Sequence, residues 1–191
     1  MISRIDHVSI AVKDIQKATR FFTNLLGAVP GESGVEEGLE FFWQVFSIGD
    51  LTRLELISPT GKESFLKNFL EGRKDGGAHH ITFETTDIKA SRQFLEENGI
   101  AYFGYNDEGP WKELFIHPKD AFGILIQIAE FVPDVYLAES VKLPPNQRWQ
   151  VEKEAEGCSL TLAHPGGGKA GIKLSKSEIE DLINDLQQVS D

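Results

Sequence analysis

The chain has one cysteine, Cys158, and so no internal disulfide framework; that scarcity fits a reducing compartment, and a cytoplasmic location is expected. It has no run of 18 apolar residues, so no membrane-spanning helix is expected. Basic residues are in deficit: 19 Lys and Arg stand against 30 Asp and Glu, a formal net charge of -11. Such a surface repels nucleic acid and anionic membranes, and neither is expected as a partner. The opening stretch MISRIDHVSIAV lacks the charged, apolar and small-residue succession of a signal peptide and enters a strand at once. With 40% hydrophobic residues in 191, the chain has enough apolar surface for one compact unit or two modules sharing a core.

An internal repeat is present. DHVSIAVKDIQKATRFFTNLLG begins at Asp6, and HHITFETTDIKASRQFLEENG begins at His79. His7 and His80, Asp14 and Asp87, Ile15 and Ile88, and Phe21 and Phe94 are each 73 positions apart. Both copies read as strand, aspartate turn, helix. In the first strand Val8, Ile10 and Val12 share one face, and His7, Ser9 and Ala11 share the other. In the second, Ile81 and Phe83 oppose His80, Thr82 and Glu84. A period of two marks a sheet covered on one side: the helix belongs on the apolar face, and the small polar face lines a cleft. Asp14 and Asp87 are N-caps, Ile15, Ala18, Phe22 and Leu25 form a helical stripe, and Gly27, with Asn98 and Gly99 in the second copy, stops the helices.

Each module continues in strands. Residues 40–48 and 52–58 flank a Gly49–Asp50 turn, and residues 111–117 and 123–129 flank PKDAF. The expected fold is α+β: two βαβββ modules, residues 1–70 and 71–131, forming a half-open mixed sheet around a cleft. Residues 132–191 are expected as a packed appendage, with a proline-bearing connector, a hairpin from Trp149 to Glu154 and Ser159 to Ala163, and a helix capped by Ser175 and Glu178. Ile179, Leu182, Ile183 and Leu186 are its apolar stripe. The turn PGGGKAG lacks the Lys-Ser/Thr pair of a phosphate loop and reads as a surface turn.

The repeat sets His7 and Glu55 of one module against His80 and Gln127 of the other. Two imidazoles, a carboxylate and an amide oxygen suit a divalent Zn, Co, Ni, Mn or Fe ion better than a thiolate site would. His79 is expected on the opposite face, and His117 and His164 in turns or at the surface.

IDHVSIAVKDI, LELISP, GAHHITFETTDI and FIHPKDAFGILIQ together resemble the vicinal-oxygen-chelate superfamily over residues 3–130. That group holds glyoxalase I, extradiol dioxygenases, bleomycin and fosfomycin resistance proteins, and methylmalonyl-CoA epimerase; the chain most resembles the epimerase branch. The resemblance implies metal ligation by His7, Glu55 and His80, with Gln127 where the family usually has a metal-binding glutamate. An amide can ligate, but it cannot serve as a base near neutral pH. It also implies enolate stabilisation on a small-molecule carbonyl substrate such as a CoA thioester, and a homodimer. Glu55 is then one acid or base, and Glu37 or Glu40, or Glu113, the other; Glu84, on the His80 face, is a candidate to support the ligands. A glyoxalase-like lyase, an Fe(II) dioxygenase and a non-catalytic binding protein are the alternatives.

Overall fold

The computed structural model describes residues 2–49 and 51–189, so Asp50 of the expected Gly-Asp turn lies outside the described residues. The first βαβββ course comprises β1 (Ile2–Val12), α1 (Ile15–Leu26), β2 (Val29–Glu36), β3 (Phe41–Ile48) and β4 (Thr52–Pro59). A short helix, α2 (Leu66–Leu70), leads into the second: β5 (Gly76–Thr85), α3 (Ile88–Glu97), β6 (Phe103–Asn106), β7 (Lys112–Ile116) and β8 (Leu125–Glu130). The beginning of β8 is later than its apolar run because Phe122 and Gly123, with φ of 54° and 92°, carry the chain through a left-handed turn.

One eight-stranded sheet results, in the order β2-β3-β4-β1-β5-β8-β7-β6. The strands that bear His7, Glu55, His80 and Gln127 are central. β1 runs antiparallel to β5, while β4 lies parallel beside β1 and β8 parallel beside β5. Asp14 and Asp87 cap the helices as expected, accepting from the backbone N–H of Lys17 and Ala90, each at 2.9 Å. The left-handed Gly27 (φ 68°) ends α1.

The apolar faces carry the helices. Ile10 and Val12 pack with Ile15, Ala18 and Phe22 over Phe46, Leu54 and Leu56. Ile88 and Leu95 pack over Leu114, Ile116 and Ile128. Leu25 is 71% exposed, so the expected stripe of α1 is one position too wide. On the opposite face α2, too short to show a helical period in sequence, seats Leu66 and Leu70 against Ala11 and Ile57.

The C-terminal region differs from the expected hairpin and helix. A third strand is present: β9 (Trp149–Glu154), β10 (Gly157–Ala163) and β11 (Lys169–Ser175) form a separate sheet before α4 (Lys176–Gln188). Nor is α4 tightly packed, since Ile183 and Leu186 are 49% and 57% exposed. The glycine turn is not a free surface turn. The Gly166 carbonyl accepts from both Arg4 and Arg53, and a Cβ at 166 would come within 2.3 Å of the Arg4 Nε. Before it, a 3-10 turn at Pro133–Tyr136 crosses to the first module, where a Cβ at Gly31 would meet the Tyr136 carbonyl at 2.3 Å. No helix among the described residues is long and apolar enough to cross a membrane.

Candidate metal centre

Strand register brings the repeat-related residues together. Ser9 pairs with Glu55 on β4 and with His80 on β5, so Glu55, Ser9 and His80 form one row. His7 pairs with Thr82, and Thr82 with Gln127 on β8, forming the next. The small, fully buried Ser9 leaves space between the two residues beside it.

The imidazoles of His7 and His80 converge, with ring centroids 5.8 Å apart. Glu55 Oε2 lies 3.7 Å from His7 Nε2 and 3.5 Å from His80 Nε2. One ligand atom from each of the three residues falls within 4.8 Å of the others. Glu55 Oε2 and His80 Nε2 are buried and have no hydrogen-bond partner among the described residues. Buried polar atoms are rarely left unmade, and two facing each other across such a gap fit a cation with nitrogen and oxygen ligands. Burial pushes the Glu55 carboxyl above its usual range, against the attraction of His7. Burial also holds His80 well below the ordinary imidazole value, with His7 and His79 adding to the effect. A cation reverses both penalties, since it favours ionised carboxylate and neutral imidazole together.

Each histidine has a partner behind it. His7 Nδ1 lies 2.7 Å from Asp6 Oδ2, which fixes a proton on Nδ1 and turns the Nε2 lone pair to the cleft. Burial acts against the charged form of Asp6, but His7, Arg53 and Arg4 outweigh it and hold the carboxyl below its ordinary range. Arg4 also donates to Glu84 at 2.7 Å and to Asp6, which links Glu84 to the His7 side of the cluster. His79 corrects the strand-alternation expectation. His80 pairs with Ser9 but Ala78 with Ile10, leaving His79 as the extra residue of a β-bulge. Its ring therefore shares the cleft face, against Phe65 and Phe69, with Nδ1 2.8 Å from His80 Nδ1. Burial lowers its pKa to about 4.

Gln127 is buried beside these groups, its Oε1 accepting from Thr82 and its Nε2 donating to Glu113 at 2.6 Å. Thr82 Oγ1 also lies 2.9 Å from His7 Nε2. The cleft above, about 370 Å³, is lined by His7, Glu55, Glu113 and Gln127, by Glu36, and by apolar residues including Trp43 and Trp111. Glu113 also accepts from Trp111 Nε1 at 2.8 Å. Glu40 is not brought in: it turns toward the loop after β4 and accepts from the Glu63 N–H at 2.7 Å. Glu37 lies exposed in a 3-10 turn, and the adjacent Glu36 reaches the cleft instead. His117 and His164 sit in turns, accepting from the backbone N–H of Lys119 and Gly166. Residues missed in sequence are Asp6, Glu36 and Tyr136, the last lying across the cleft 5.2 Å from Trp111 between ring centroids. Only Asp6 had a signal, its place in the repeat opposite His79.

The sequence profile of the glyoxalase/bleomycin resistance protein/dioxygenase superfamily matches residues 6–115. The chain belongs to that superfamily. The ethylmalonyl-CoA/methylmalonyl-CoA epimerase of Cereibacter sphaeroides is 35% identical over 136 residues, 68% of this chain and 99% of that protein. The human mitochondrial methylmalonyl-CoA epimerase is 34% identical over 140 residues, 68% of this chain and 74% of its own. Among solved structures, methylmalonyl-CoA epimerase from Mycobacterium tuberculosis superposes with a TM-score of 0.63 at 26% identity, over 69% of this chain and 90% of that one. A Streptomyces coelicolor methylmalonyl-CoA epimerase variant in complex with 2-nitronate-propionyl-CoA gives 0.62 at 26% identity, over 69% and 99%. The α+β architecture with one large mixed sheet is that of the superfamily.

Proposed function

We propose that the chain is a metal-dependent epimerase of an acyl-CoA thioester with an acidic α-hydrogen, methylmalonyl-CoA or a near homologue. The observation that carries this reading is the meeting of His7, Glu55 and His80 beside a cleft that His7 and Glu55 line together with Glu113 and Glu36. His7, His80 and Glu55 are the proposed ligands, and Gln127 the fourth through the oxygen that Thr82 now engages. When bound, a divalent ion supplies Lewis-acid stabilisation of the negative charge that develops on the thioester oxygen.

The protein groups handle the proton. Inversion at an α-carbon takes a proton from one face and returns one to the other, so two groups must bracket the carbon. Glu55 projects from the first module. Glu113 projects from the second, near enough for its charge to act on Glu55. Gln127 donates to Glu113 and orients it, the work left to an amide that cannot itself exchange a proton. Glu36, on the same wall, is the second candidate for the Glu113 role, and it replaces Glu40. Phe41, Trp43, Val45 and Trp111 keep water from the carbanion. The exposed apolar residues Phe21 and Phe94 at repeat-related positions support the proposed homodimer, which light scattering tests.

The deciding experiment incubates the metal-loaded protein with methylmalonyl-CoA in deuterium oxide. The expected result is deuterium at the α-carbon with racemisation and no net conversion. Absence of exchange with both methylmalonyl- and ethylmalonyl-CoA overturns the reading, and oxygen uptake with Fe(II) turns it toward the dioxygenase. Elemental analysis is expected to find about one metal per chain, lost in His7→Ala and His80→Ala.

A further inference from the structure

We infer that His79 is the positioning residue of His80, accepting the His80 Nδ1 proton and so presenting the His80 Nε2 lone pair to the cleft. This role rests on the metal-centre reading above. His80 Nε2 lies 3.5 Å from Glu55 Oε2 with no hydrogen-bond partner among the described residues, while its Nδ1 lies 2.8 Å from His79 Nδ1. Two ring nitrogens at that distance share one proton. A lone pair on His80 Nε2 requires the proton on His80 Nδ1, and His79 Nδ1 is then the acceptor.

The backbone supports the assignment. Asp6 and His79 each precede a candidate ligand histidine, and the repeat relates them at 73 positions. In each strand that residue is the extra one of a bulge: Ile5 and His7 pair with consecutive Phe83 and Thr82, omitting Asp6, while consecutive Ser9 and Ile10 pair with His80 and Ala78, omitting His79. Each bulge turns its extra side chain onto the ligand's own face and sets it against the ligand's Nδ1. The two copies thus solve one orientation problem with different chemistry, a carboxylate behind His7 and an imidazole behind His80. Phe65 and Phe69 hold the His79 ring at centroid distances of 5.7 and 4.9 Å, which fixes the acceptor in place.

The test compares His79→Leu, which keeps bulk and removes the acceptor, with His79→Asn, whose side-chain oxygen takes the place of Nδ1. Chelator competition with Zn(II) and Co(II) is expected to show about 10- to 100-fold weaker binding in His79→Leu. His79→Asn is expected to recover most of the affinity, and the Co(II) absorption spectrum with it. Two-bond proton–nitrogen correlation spectra of the metal-free protein read the tautomer directly. His80 is expected as the Nδ1–H form in wild type and His79→Asn, and mainly as Nε2–H in His79→Leu. Equal affinity in all three proteins, or a better result for His79→Leu than for His79→Asn, overturns the role. A wild type that takes up no metal overturns the centre, and the tautomer spectra then separately decide the hydrogen bond.

Discussion

The two modules follow the same course, β-α-β-β-β, yet they equip the cleft differently. The first contributes His7 backed by Asp6, and the carboxylate Glu55. The second contributes His80 backed by His79, and the amide Gln127 bonded to Glu113. Duplicated backbone therefore sets where side chains converge, while a few unequal substitutions give the centre a direction. The carboxylate of Glu55 lies on one side, and that of Glu113, held by the Gln127 amide, lies on the other. The epimerisation proposed above needs an acid or base on each face of the carbon, and a carboxylate from each module offers one.

Breaking that inequality from the first side has the largest expected effect. Glu55→Gln removes the module's carboxylate while keeping its shape, and kcat for α-proton exchange is expected to fall about 10²- to 10⁴-fold. Measurement at equal metal occupancy separates lost proton transfer from lost ligation. Gln127→Glu breaks the inequality from the second side. It sets a carboxyl where the amide now donates to Glu113 at 2.6 Å, so one of the two must hold a proton. The expected outcome is retained metal, with an added ionisation in the pH profile of kcat that the wild type lacks.

Tyr136→Ala tests the wall that the C-terminal region lends to the cleft. Trp43, Trp111 and Phe131 lose a ring at 6.2, 5.2 and 5.7 Å. KM is expected to rise about tenfold, roughly the 1.4 kcal/mol of one modest apolar contact, with a smaller change in kcat.

The smallest effect is a pH signature that separates the two histidine supports. Burial lowers His79 from 6.5 to about 4, and His80 is lowered too. The unfolded chain therefore protonates first, and the stability of the metal-free protein is expected to fall as pH drops from 6.5 toward 4. Asp6 is depressed below 3.8, so its contribution persists above that value and is lost only at lower pH. Glu55, raised above 4.5, acts in the opposite sense and weakens the fold as pH rises through that region. Thermal melts of wild type, His79→Asn and Glu55→Gln across this range separate the contributions.

Much of this was legible in sequence for a physical reason. The spacing of 73 ties His7 to His80, and period-two alternation puts Ser9 and Thr82 on the cleft face beside them. Alternation also explains what was hidden. It assumes an unbroken strand, and the inserted Asp6 and His79 break it, so His79 reads as outward although it faces inward. Glu37 and Glu40 were named and Glu36 was missed because the path of a loop, not periodicity, decides which glutamate enters the cleft. The five residues of α2 are too few to show a stripe. The glycine turn reads as surface because its partners, Arg4 and Arg53, are more than a hundred positions away.

That turn has a consequence for handling the molecule. Arg4 and Arg53, which clasp the Gly166 carbonyl, are the same guanidiniums that neutralise Asp6. A nick, fusion or tag that lifts the segment around Gly166 would leave both cations without that acceptor, held only by the carboxylates they already pair with, Asp6 and, for Arg4, Glu84. Damage some 160 residues downstream would then be felt at the imidazole of His7, as though the far end of the chain carried a tuning peg for its beginning.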